Sequence, residues 1–133
     1  MAEEVVVKEY LSDSMIDAGR RMLDLLDQAQ LPFDGLLWFY FPEKNRWKLL
    51  VVSSLVRQHG PRIVYERIQN VLAQPGAPAL ELFDFTARDP NEPPASLLRK
   101  IIPTPPGYIS EKRIKGRGID GQYLDDAYIY RLK

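Results

Sequence analysis

The sequence predicts an α+β fold: a single domain in which a mixed or antiparallel sheet of about five strands packs with three helices. Two observations support this fold class. Short runs of aromatic and β-branched residues alternate with amphipathic stretches in the order α-β-β-α-β-α-β-β, and short turns join neighbouring strands. The length of 133 residues fits one domain. We therefore expect residues 1–133 to form one α+β domain.

A β-hairpin over residues 36–52 forms the centre of the predicted sheet. Two apolar runs rich in aromatic and β-branched residues flank a short polar break that contains Pro42 and Asn45. Residues 36–41 are six successive apolar residues, so their side chains occupy both faces of the strand. The second face therefore needs cover from helices of the same chain, from another subunit or from a ligand.

Helical spacing, prolines and glycines predict the remaining elements. The first helix begins at Ser14, which forms a capping box with Asp17, and a second helix opens at Pro61. The Asp120-Gly121 dipeptide favours a turn between the last two strands. The predicted helices cover residues 14–30, 61–73 and 97–102, the further strands cover 80–86, 109–115 and 127–132, and a stiff proline-rich connector covers 103–107.

Composition excludes several kinds of functional site. The chain has no cysteine, which excludes disulfides, thiolate zinc sites, iron–sulfur clusters and cysteine nucleophiles. It has one histidine, His59, which excludes a metal site built from several histidines. The formal net charge of +0 weighs against a strongly basic nucleic-acid-binding protein. We expect no cofactor and no bound metal.

The location expected from the sequence is the cytoplasm. Residues 1–10 are acidic and contain an apolar run of only three residues, which is too short for a signal peptide. No later apolar run is long enough to span a bilayer. We therefore expect no association with a membrane.

Three segments resemble small bacterial proteins known only as hypothetical proteins. The resembling segments are VKEYL at 7–11, GPRIVYERI at 60–68 and DDAYIYRL at 125–132. The resemblance extends over nearly the whole chain and implies a bacterial, cytoplasmic protein of one domain. That group has no known activity, so the resemblance implies no catalytic residue.

The leading functional interpretation is a non-enzymatic binding or regulatory module that acts through protein–protein contacts. The central hairpin has a surplus of aromatic residues, and aromatic residues are enriched at protein interfaces. We expect Trp38, Tyr40 and Trp47 to bind a partner, either another protein or a second copy of the chain in a homodimer. Solvent exposure of Trp38, Phe39 or Trp47 would support this interpretation.

An alternative is a nucleic-acid-associated protein that uses its basic C-terminal segment. Lys112, Arg113, Lys115 and Arg117 are the candidate polyanion-binding residues. Residues 96–133 contain eight lysines or arginines and four acids, and the rest of the chain has an equal excess of acids because the net charge is +0. The simpler interpretation is a solvated strand whose cations protect an edge of the sheet from aggregation.

A second alternative is a metal-dependent enzyme that uses carboxylates. Mg²⁺ catalysis needs two or three acids that converge at one place, but no spacing here is diagnostic, and most of these acids are equally suited to capping turns and helices. The candidate acids are Asp84, Asp89, Glu92, Asp120, Asp125 and Asp126.

A possible anion site surrounds His59, which directly precedes Gly60 and the second predicted helix. Free backbone amides and the helix dipole favour negative charge at a helix N-terminus. Arg57 and Arg62 are close in sequence and would contribute positive charge. The chain contains neither a phosphate loop nor a nucleophile elbow, so a histidine in an ordinary turn is the simpler interpretation.

Overall fold

A computed structural model describes residues 7–102, 105 and 111–133, and it has the predicted α+β fold. Among these residues, a mixed five-stranded sheet packs with four α-helices, one more than expected. The elements are α1 (Asp13–Gln28), β1 (Gly35–Phe41), β2 (Arg46–Val52), α2 (Leu55–His59), α3 (Pro61–Leu72), β3 (Phe85–Arg88), α4 (Ala95–Leu98), β4 (Lys112–Ile119) and β5 (Gln122–Leu132). Short 3-10 turns cover Pro42–Lys44 and Leu82–Asp84.

The strands lie in the order β3-β2-β1-β5-β4. The predicted hairpin is the β1–β2 pair, in which Leu36 lies opposite Val51 and Tyr40 opposite Trp47. All pairs are antiparallel except β2–β3, which is parallel. A parallel pair requires a crossover connection between its strands. The connection from β2 to β3 contains helices α2 and α3.

Both faces of the sheet are covered. Strand β1 is buried along its first six residues, which fits its run of apolar side chains. Helices α1 and α3 pack on one face, over a cluster that includes Leu36, Trp38 and Leu49. The segment that carries α4 packs on the other face, over a cluster that includes Leu37 and Leu50. Helices of the same chain thus supply most of the cover that the sequence required.

Helix α1 is capped by a different residue from the one predicted. Its N-cap is Ser12, whose hydroxyl oxygen accepts a hydrogen bond from the backbone amide of Met15 at 3.2 Å. The predicted Ser14–Asp17 capping box is therefore wrong, because the helix begins one residue earlier, at Asp13.

Helix α1 lies unusually close to strand β5 at Gly19. A Cβ atom added to Gly19 would lie 2.5 Å from Tyr130 Cζ, so only glycine leaves room for the tyrosine ring. The Tyr130 hydroxyl donates a hydrogen bond to the carbonyl oxygen of Ile16 at 2.6 Å. Burial raises the pKa of Tyr130 well above its ordinary value.

The C-terminal strands are longer than the sequence predicts. Gly116 and Gly118 follow the predicted strand 109–115 in sequence, but the structure includes both in β4. The turn itself is Asp120-Gly121, as expected. Asp120 has a φ of 49° and Gly121 a φ of 78°, the left-handed geometry that a tight hairpin turn requires. Residues 109 and 110 of the predicted strand, and most of the proline-rich connector, lie outside the described residues.

The third strand starts later than predicted. Residues 80–84 do not pair with the sheet, because Leu82–Asp84 forms a 3-10 turn. The Asp84 carboxylate accepts a hydrogen bond from the backbone amide of Glu81 at 2.8 Å, which closes the turn. The strand begins directly after it, at Phe85.

Candidate binding site

The aromatic residues predicted to bind a partner lie in the core. Trp38, Tyr40 and Trp47 are only 1%, 5% and 2% exposed. The Trp38 indole N–H donates to the carbonyl oxygen of Met15 at 3.0 Å, and the Trp47 indole N–H donates to that of Glu9 at 2.9 Å. The support that solvent exposure would have given to the sequence interpretation is therefore absent for these side chains. Their burial and hydrogen bonds stabilise the fold.

Residues 7–11, the N-terminal segment, lie against Tyr40 and Trp47. Asn45 holds this segment: its side-chain oxygen accepts from the Glu9 amide at 2.7 Å, and its side-chain nitrogen donates to the Val7 carbonyl oxygen at 2.8 Å. The ammonium group of Lys8 lies 4.6 Å from the centre of the Tyr40 ring. The sequence gives no sign of this role for Asn45.

Arg113, one of the four predicted polyanion-binding residues, is neutralised within the chain. Its guanidinium donates two hydrogen bonds to the buried Asp126 carboxylate, at 3.0 and 2.9 Å, and Lys8 donates a third at 2.9 Å. Burial by itself would raise the pKa of Asp126, but the hydrogen bonds from Arg113 and Lys8 outweigh it and hold the pKa below its ordinary value. Arg113 therefore has little capacity left for an external anion.

The other three predicted polyanion-binding residues are exposed along β4, an edge strand of the sheet. Opposite residues of an antiparallel pair share a face of the sheet. Lys112 lies opposite Ile129 and Lys115 lies opposite Asp126. Since Ile129 and Asp126 lie on different faces, these cations do not form a stripe on one face. Arg117 lies further along the same edge, opposite Leu124.

Both arginines of the predicted anion site at His59 pair with carboxylates of the same chain. Arg57 lies 3.7 Å from the carboxylate of the buried Asp89, and Arg62 pairs with Glu66 at 3.0 Å. His59 is exposed at the C-terminal end of α2. The two arginines therefore bind two different carboxylates and do not point their charges at one common anion site.

The candidate carboxylates serve different parts of the fold. Asp89 accepts a hydrogen bond from the amide of Asn91 at 2.8 Å, Asp120 pairs with Lys100, and Asp125 pairs with Lys8. Across residues 7–102, 105 and 111–133, no group of three or more acids, histidines or cysteines is placed to hold a metal ion.

A groove that the sequence did not indicate lies at the tip of the central hairpin. Its first part, the apolar pocket, has a volume of about 250 Å³. The rings of Phe39 and Phe41 meet edge to face at 5.0 Å beside it, and Tyr123 at the start of β5 is 70% exposed. The pocket is lined by Phe39, Tyr40, Phe41, Pro42, Glu43, Pro93, Pro94, Gln122, Tyr123, Leu124 and Asp125.

The second part, the cationic pocket, has a volume of about 140 Å³. Strand β2 supplies Arg46 and Lys48, strand β3 supplies Arg88, and the hairpin turn supplies Lys44. Within the described ranges, Glu43 is the one carboxylate of the lining, and Phe41 and Thr86 complete it.

The Phe83 ring makes cation–π contacts with two of these cations. Its ring, 60% exposed, lies 3.5 Å from the Lys48 ammonium and 4.7 Å from the Arg46 guanidinium, measured to the ring centre. Lys48 also donates a hydrogen bond to the Phe83 carbonyl oxygen. Partial burial, followed by repulsion from Arg46, lowers the pKa of Lys48, although Asp84 acts in the opposite direction.

The two pockets form one surface, the hairpin groove, because Phe41 and Glu43 line both of them. One signal in the sequence was available: Lys44, Arg46 and Lys48 recur at every second residue, which puts cations together at the end of a strand. Arg88 could not be assigned to the same place, since it joins them only through the parallel pairing of β2 with β3.

Comparison with protein families, with curated proteins and with solved structures found no match to this chain. Within the part of the chain that the structure describes, no helix is both long and apolar enough to cross a membrane.

Proposed function

We propose that this protein is a non-enzymatic binding module that recognises an acidic segment of a partner protein in the hairpin groove. One observation supports this most: among the residues that the structure describes, four cations and one carboxylate line the cationic pocket. Such a pocket attracts negative charge and disfavours cationic partners. The bacterial origin and cytoplasmic location expected from the sequence belong to the same proposal.

The apolar pocket supports a polypeptide ligand over a simple ion. It adjoins the cationic pocket and offers aromatic and proline surfaces to an apolar side chain. Protein interfaces combine an apolar anchor with surrounding polar contacts. The expected ligand is therefore a segment in which an acidic residue lies close to an aromatic or aliphatic residue.

The test begins with a library of random peptides displayed on phage and selected against the immobilised protein. We expect the selected peptides to combine acidic and apolar residues. Arg46→Glu/Arg88→Glu should weaken binding of a selected peptide by about tenfold or more in fluorescence anisotropy, because it reverses two charges of the pocket.

The matched control is Arg62→Glu/Lys133→Glu, which makes the same change in net charge outside the groove. We expect its affinity to stay within about twofold of the unmodified protein at physiological salt, since exposed distant charges are screened. Peptides without acidic residues, or equal binding to both double variants, would contradict the proposal.

A second candidate, polyanion binding along β4, rests on a separate observation. Lys112, Lys115 and Arg117 are exposed and have no carboxylate partner among the residues described here, and the exposed Tyr123 lies opposite Gly118. Aromatic side chains beside cations can stack on bases. This candidate predicts retention on heparin above physiological salt and its loss in Lys115→Glu/Arg117→Glu. Elution below that salt concentration would exclude it.

A further inference from the structure

The cationic pocket has more positive charge than one ligand carboxylate would neutralise. Among the described residues, four cationic side chains and one carboxylate, Glu43, line the pocket, and Asp84 lies close enough to attract Lys48. Over the described ranges, Lys44, Arg46 and Arg88 form no ion pair with a carboxylate. The positive charge is therefore available to a ligand with more than one negative charge.

The donors of this pocket are held by regular structure. Leu50 lies beside Thr86 and Val52 beside Arg88 in the parallel pair. Since alternate residues of a strand share a face, Lys48 of β2 lies on the same face as Thr86 and Arg88. The Phe83 ring holds Lys48 and Arg46 from the side. Arg46 and Lys48, which contact this ring, therefore lose less entropy when they bind an anion.

The size and chemistry of the pocket match a phosphate group. Its volume of about 140 Å³ leaves room for a phosphate group. A phosphorylated side chain carries about −1.5 to −2 charges at pH 7 and three strong acceptor oxygens. Two guanidinium groups present forked donors that suit such oxygens, and the Thr86 hydroxyl is a further donor.

We infer that the cationic pocket binds the phosphate group of a phosphorylated side chain, while the apolar pocket takes a neighbouring apolar side chain of the same segment. This inference rests on the proposed function and adds to it: recognition of the partner depends on phosphorylation of that partner.

The first experiment needs no selected peptide. O-phospho-L-serine is titrated into ¹⁵N-labelled protein at constant ionic strength and followed by amide chemical shifts. We expect saturable shifts at Arg46, Lys48 and Arg88. Arg46→Met/Arg88→Met should abolish them, because it removes both forked donors, and Lys112→Met/Lys115→Met, which removes two lysines of β4, should leave them unchanged. Equal shifts with sodium chloride or with serine would overturn the inference, as would shifts centred on β4.

The second experiment compares three versions of one selected peptide, with phosphoserine, glutamate or serine at the acidic position. We expect the phosphoserine peptide to bind about tenfold more tightly than the glutamate peptide, and the serine peptide to bind most weakly. If glutamate binds as well as phosphoserine, the phosphate inference fails and the proposed function stands. If all three peptides bind equally well, both fail.

Discussion

At the scale of single residues, Gly19 of α1 packs closely against Tyr130 of β5. The tyrosine ring occupies the space that any side chain at position 19 would need. Its hydroxyl donates to Ile16 on the same helix, which fixes how the helix lies on the sheet. One glycine thus determines the distance between a helix and a strand that are far apart in sequence.

Gly19→Ala should lower the free energy of unfolding by about 1–3 kcal/mol, because the added methyl group overpacks the contact with Tyr130. Urea denaturation measures this change. The control is Gly118→Ala, whose Cβ would lie 4.0 Å from the nearest atom, the Gln122 carbonyl oxygen. We expect the control to change stability by less than about 0.5 kcal/mol. Equal effects of the two substitutions would contradict the packing argument.

The buried carboxylate of Asp126 should make stability depend on pH. Its pKa is lowered in the folded protein, so it stabilises the fold above the ordinary carboxyl pKa of about 3.9, and this contribution is lost as the pH falls through the folded value. Asp126→Asn should destabilise the protein at pH 7 by about 1–3 kcal/mol, since Arg113 and Lys8 lose a charged partner.

Urea denaturation between about pH 5 and pH 2 tests this, because the difference between the variant and the unmodified protein should narrow as the pH falls. Asp125→Asn is the control, since Asp125 is partly exposed and pairs with Lys8 alone. A difference that stays constant over this range would exclude Asp126 as the titrating group.

At the scale of elements, the N-terminal segment depends on the hairpin turn. Asn45 has a φ of 47°, and its side chain bonds to residues 7 and 9. The Tyr40 hydroxyl donates to the same side-chain oxygen at 2.5 Å. The turn that joins β1 to β2 therefore also orders a segment that forms no strand of its own.

Asn45→Gly should release the N-terminal segment while keeping the backbone of the turn, because glycine adopts positive φ without strain. We expect faster amide hydrogen exchange at Glu9 and a red shift of tryptophan fluorescence, since the Trp47 indole bonds to Glu9. Exchange in α3, which follows the hairpin in sequence, serves as the internal control. Unchanged exchange at Glu9 would show that other contacts hold the segment.

At the scale of the whole molecule, the sequence predicted the fold class and most elements, but not the site. Apolar runs and turn dipeptides indicate structure that depends on neighbouring residues. The central hairpin and the Asp120-Gly121 turn are structures of this kind, and both lie where they were expected. The crossover that puts Arg88 beside Lys48 depends on contacts between distant residues. The same limit applies to Trp38 and Trp47, whose burial is decided by helix α1 and the N-terminal segment.

The exposed cations of β4 should keep the molecule from pairing through its free edge. Lys115→Val/Arg117→Val should cause self-association that increases with concentration, because it removes charges from an edge strand of eight residues. Light scattering coupled to size-exclusion chromatography, with native mass spectrometry, measures the oligomer. Arg62→Val/Lys133→Val removes two cations elsewhere and should leave the state of the unmodified protein, monomer or homodimer, unchanged. Identical behaviour of the two variants would contradict this role.

Strand β1 gains its two neighbours at very different points along the chain. Strand β2 follows it after a short turn, whereas β5 is the last strand in chain order. Until β5 pairs with it, one edge of β1 has unpaired backbone groups along a run of six apolar residues, 36–41. We therefore expect assembly from two hairpins, with docking of the second as the slow step, and we expect chains interrupted before β5 to aggregate through the bare edge of β1.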